Sequence, residues 1–77
     1  MTKLPPDPDN LNGMRAYWAY EAVRTFQELT NSDYEDVVAD LIADLIHLCD
    51  LIPKYGVFDK QLERGKYHYQ EETRRPR

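Results

Sequence analysis

The sequence predicts an all-α protein, a small three-helix bundle, and three observations carry that expectation. Apolar residues recur at helical spacing in three separate stretches. The prolines fall outside those stretches, and no alternating run bounded by turn residues marks a strand or hairpin. At 77 residues the chain has room for one domain and none for a doubly wound sheet or a barrel.

Residues 1–10 form an extended arm before the first helix. Pro5, Pro6 and Pro8 each lack an amide donor and restrict the residue before them, so no helix can form there. The first helix is expected over 11–30, with Leu11, Met14, Trp18, Ala22, Phe26 and Leu29 on one inward stripe widened by Ala19 and Val23. Asn10 and Asn12 are both able to cap it, and Gly13 weakens its first turn.

Thr30-Asn31-Ser32-Asp33 interrupts the period. Ser32 and Glu35 are spaced as a capping box, which predicts a second helix over 33–51 beginning at Asp33. Val37, Val38, Leu41, Ile42, Leu45, Ile46, Leu48, Cys49 and Ile52 cover about half of its circumference, wider than one neighbouring helix needs. Pro53 ends it, and Gly56 supplies a positive φ in the turn that follows. A third helix is expected over 58–72, with Phe58, Leu62, Gly65 and Tyr69 on a narrow seam and Gly65 allowing another helix to approach closely. Residues 73–77 read as a flexible basic tail. So short a chain with so wide an apolar helix either encloses that helix with its own neighbours or pairs it with a second copy, so a homodimer is allowed.

A lone cysteine, Cys49, excludes an intrachain disulfide and a zinc finger, and fits a reducing compartment. The segment Met1 to Pro6 has no apolar run suited to a signal peptide, and no stretch approaches the roughly 20 apolar residues of a membrane span. The expected setting is the cytoplasm. No glycine-rich phosphate loop or nucleophile motif is present, so the expectation is a non-enzymatic protein that needs no cofactor.

The charge is segregated. Between Arg24 and Lys54 the chain carries −7 with no Lys or Arg, while the remainder carries +3, giving the net −4. At 100° per residue Asp36, Asp40, Asp44 and His47 share one strip of the second helix, with Asp50 at its border and Ala39 and Ala43 between. One reading is a solvated face balanced by Lys60, Arg64 or Lys66 of the third helix. The other is a surface for a basic partner, since a row of carboxylates has the sign of a phosphate backbone. That partner is a larger host protein, such as a nucleic-acid-binding complex, and not nucleic acid itself or a membrane. Tyr17, Tyr20 and Arg24 form a second candidate surface on the outer side of the first helix, of the residue types that dominate interface hot spots. Asp44 and His47 also have the Asp-x-x-His spacing of a metal-binding pair, with Asp40 a possible third ligand, but further helices supply no matching ligands.

The residues Trp18-Ala19, Ala22, Phe26, Thr30, Asp33, Glu35-Asp36, the run from Asp40 to Asp50, Phe58-Asp59, Leu62 and His68-Tyr69 resemble a widespread group of short helical bacterial, plasmid and phage proteins. The resemblance spans all three helices and implies a helical layout and an origin in mobile genetic elements, but it brings no activity. The Ile52-Pro53-Lys54-Tyr55 loop departs from the group's pattern. Asp36, Asp40 and the Asp44-Leu45-Ile46-His47 segment are also similar to one acidic helix of the MazG-type all-α nucleotide pyrophosphohydrolases, which implies a metal-dependent hydrolase as the alternative function. The second Glu-x-x-Glu element of that family is missing, because Glu21 and Glu28 are seven apart.

Overall fold

The first helix, α1 (Leu11–Thr30), is started by the proline-rich arm that precedes it. The Asp7 carboxylate accepts the Asn12 amide at 3.0 Å and the Gly13 amide at 2.9 Å, and Asp9 accepts the Leu11 amide at 3.4 Å. Asn10, expected to cap, instead adopts the left-handed conformation at φ 59° with no side-chain cap bond. Its own amide donates to the Asp7 carbonyl at 3.2 Å, so Asp7 closes a turn and caps the helix at once. The computed structural model describes residues 4–74, so the ends of the arm and of the basic tail lie outside the described residues.

At its far end α1 stops at Asn31, which takes φ 58° and donates its amide to the Gln27 carbonyl at 2.8 Å. Asparagine is one of the few non-glycine residues that enter this region readily. Gln27 then reaches across the joint to the Ser32 carbonyl at 2.9 Å.

The second helix, α2 (Val37–Leu51), begins four residues later than the capping box implies. The Ser32 hydroxyl donates to Asp40 at 2.7 Å instead of serving a local amide. A single turn intervenes, closed by the Asp36 and Val37 amides on the Asp33 carbonyl at 3.0 and 2.9 Å. The other end is as expected. Ile52 is extended (φ −122°, ψ 92°) ahead of Pro53, a 3-10 turn covers Pro53–Tyr55, and Gly56 takes φ 87°.

The third helix, α3 (Phe58–Glu72), starts beside that turn, where Gln61 donates to the Tyr55 carbonyl at 2.8 Å. It ends against the start of α1. Asn12 donates to the Glu72 carbonyl at 2.8 Å, and Arg15 pairs with the Glu72 carboxylate at 3.0 Å. Three helices without strands are therefore present among the described residues, linked head to tail with the last returning to the first. The polar links between them all sit at helix ends.

The packing departs from the expected enclosed core. Val37, 4% exposed, is the one buried hydrophobic residue among those described, whereas Trp18 is 60% and Leu29 79% exposed. The partly buried positions of α1 are Asn12, Arg15, Glu21, Val23, Phe26 and Gln27, of which Val23 and Phe26 are apolar. The helix is thus turned so that an edge of its apolar stripe faces the rest of the chain, while Leu11, Met14, Trp18 and Leu29 face out. On α2, Leu41 and Cys49 are partly covered, as is Ile52 just beyond its end, and Val38, Ile42, Leu45, Ile46 and Leu48 are exposed.

The whole chain reflects this openness. Its radius of gyration is 14.6 Å, where about 11.5 Å is ordinary for this length. Its accessible surface is 7127 Å², against about 4,900 Å² for a compact monomer of this mass.

Candidate functional site

The acidic strip follows from the register of α2. Asp36 occupies the N-cap position and Asp40 the first turn, so both sit where the aligned backbone amides favour negative charge, by about 0.3–1 kcal/mol each at an exposed site. The late start of α2 thus brings Asp40 as well as Asp36 under the helix dipole. Asp44, His47 and Asp50 continue the strip beyond its reach, and all five side chains are exposed. Carboxylates at i and i+4 repel one another by a few tenths of a kcal/mol, roughly cancelling the gain at the helix start.

The strip is not neutralised from within. The ion pairs among the described residues are Arg15–Glu72, Arg24–Glu28 and Arg74–Glu71. Neither Lys60, Arg64 nor Lys66 of α3 lies within 4.0 Å of an α2 aspartate, and the one side-chain partner recorded for the strip is the Ser32 hydroxyl on Asp40. The expected balancing by α3 is therefore not formed. No group of three or more His, Cys, Asp or Glu side chains converges to hold a metal ion among the described residues. Asp40, Asp44 and His47 share a face without surrounding a common point.

Tyr17, Tyr20 and Arg24 do come together. The two rings lie 6.4 Å apart at 39°, and Arg24 reaches Glu28 at 3.7 Å. A side-chain hydrogen bond with Tyr20, followed by the charges of Glu21 and Glu28, raises the Arg24 pKa above its ordinary value. The result is an aromatic ledge ending in a permanent cation and its carboxylate partner, all on the exposed side of α1. Glu28 belongs to this patch and was legible from its i+4 spacing to Arg24.

A second feature lies between α2 and α3. Ile42, Leu45, Phe58, Leu62, Gly65 and Tyr69 line a cleft of about 610 Å³, with Gln61, Lys66 and Gln70 also in its lining. The sequence signal for it is the half-circumference of apolar residues on α2 facing the narrow seam of α3. No helix among the described residues is long and apolar enough to cross a membrane. Comparison with family models, curated proteins and solved structures returns no match for this chain.

Proposed function

We propose that this chain is a non-enzymatic interaction protein of a phage or other mobile element. It binds a larger host protein of a nucleic-acid-handling, defence-type complex in the cytoplasm and modulates it. The acidic flank of α2 (Asp36, Asp40, Asp44, His47 and Asp50) would meet lysines and arginines that otherwise hold a phosphate backbone, and Tyr17, Tyr20 and Arg24 would add an aromatic contact. One observation carries this reading: the α2 aspartates are exposed with no Lys or Arg of the described chain within 4.0 Å. A row of charges left unpaired raises association rate and selects partners of opposite sign.

The test is capture from the native host with wild-type protein and with the triple variant Asp36→Lys, Asp40→Lys, Asp44→Lys. Capture should weaken with salt, should be competed by DNA or heparin, and should fall at least 100-fold in affinity in the variant, a loss of about 2.7 kcal/mol. The far-UV helical signal should persist. Undiminished capture by the triple variant rejects the surface.

A further inference from the structure

The proline-rich arm ahead of α1 has a conformation that follows from its sequence. Pro5, Pro6 and Pro8 have φ locked at about −65°, and Leu4, Pro5 and Asp7, each preceding a proline, are driven to extended backbone. The peptide bonds are trans, and residues 4–7 form no helix, turn or strand. The regular form left to such a segment is the left-handed polyproline II helix, with three residues per turn. Pro5 and Pro8 then share one edge, Pro6 takes the second and Asp7 the third.

The fold pins this arm and leaves it bare. The Asp7 carboxylate accepts the Asn12 and Gly13 amides at 3.0 and 2.9 Å, so the Asp7 edge faces α1 and the two proline edges face outward. Pro5, Pro6 and Pro8 are exposed, and Leu4 is 87% exposed. Open hollows flank the arm on both sides. One of about 500 Å³ has Leu4, Pro5 and Tyr69 in its lining, and one of about 260 Å³ has Pro6, Pro8 and Arg74. The arm stands between them as a ridge. No backbone-to-backbone hydrogen bond involves residues 4–6 among the described residues, which leaves their carbonyls to accept donors from outside.

We propose that this ridge is a docking ligand for a protein domain with an aromatic-lined groove of the kind that reads polyproline II segments. Pro5 and Pro8 lie one turn apart, about 9 Å, and fill two adjacent slots between aromatic rings. Leu4 extends the apolar contact, and donors on the groove's rim meet the open carbonyls. A segment already extended, and anchored at Asp7, loses little freedom on binding. This inference goes beyond the function proposed above and does not depend on it, because the arm precedes α1 whereas the acidic flank lies on α2.

The experiment replaces Leu4 with benzoylphenylalanine, which keeps all three prolines, and irradiates the full chain in its native host. Adducts should form on a partner peptide that carries Trp or Tyr. Their yield should fall at least tenfold when Pro5→Ala and Pro8→Ala are added, with the far-UV helical signal unchanged because the Asp7 cap is intact. Titrating the purified partner domain into the labelled chain should shift backbone resonances of residues 4–9 first. A yield indifferent to the two proline substitutions overturns the proposal. So does the absence of any protein adduct, adducts remote from aromatic residues, or adducts on nucleic acid or lipid. The triple variant Asp36→Lys, Asp40→Lys, Asp44→Lys, run in parallel, reports on the acidic flank alone and separates a failure of that surface from a failure of the arm.

Discussion

Asp7→Ala is the perturbation that separates the observed start of α1 from the one expected of its asparagines. The Asp7 carboxylate accepts two backbone amides, at 3.0 and 2.9 Å, which otherwise have no partner within the helix. Losing a side-chain cap costs about 0.5–2 kcal/mol, with charged acceptors at the upper end. The side chain is only partly buried, and water can replace some of the bonding, so about 1.5 kcal/mol is expected. For a domain of this size that lowers the melting temperature by about 6–12 °C. Urea unfolding followed by far-UV circular dichroism, at one fixed protein concentration because association would shift the midpoint, reads the loss directly. Asn10→Ala is the control, since Asn10 makes no side-chain cap bond. If Asn10→Ala proves the costlier of the two, the assignment of the cap to Asp7 is wrong.

Two further outcomes test the joints. Ser32→Ala removes the hydroxyl that bonds Asp40 and should destabilise by about 0.5–1 kcal/mol, whereas Glu35→Ala should stay within about 0.5 kcal/mol of wild type because the capping box is not formed; the order of their urea midpoints decides. Val37→Ala removes two methyl carbons from the one buried position among the described residues and should cost about 2 kcal/mol. The same change at the exposed Val38 should cost less than half as much in the same unfolding assay.

Much of the molecule was readable along the chain because it rests on local rules. Pro53 stops α2 by steric conflict with the residue before it, Gly56 supplies the positive φ that its turn needs, and the spacing of Asp36, Asp40 and Asp44 alone places them on one strip. The Tyr17, Tyr20 and Arg24 patch is legible for the same reason: neighbours at i, i+3 and i+4 meet on any helix. Less legible was the cap of α1, because the carboxylate comes from a turn three residues before the nominal N-cap. The late start of α2 was hidden too, since the Ser32 hydroxyl chose between a local amide and a carboxylate eight residues away.

Helical periodicity reports which side chains avoid water but not which of them a particular neighbour covers. The amphipathic stripes, the three helices and the segregated charge are properties of consecutive residues and needed no coordinates. The rotation of α1 that leaves Trp18 outside, the contact of Asn12 and Arg15 with Glu72, and the open cleft around Gly65 depend on how short helices meet at their ends. Those arrangements follow from long-range packing, in which each helix can satisfy its local rules at several rotations and the favoured one is set by the area that all three, and any second copy, remove from water together.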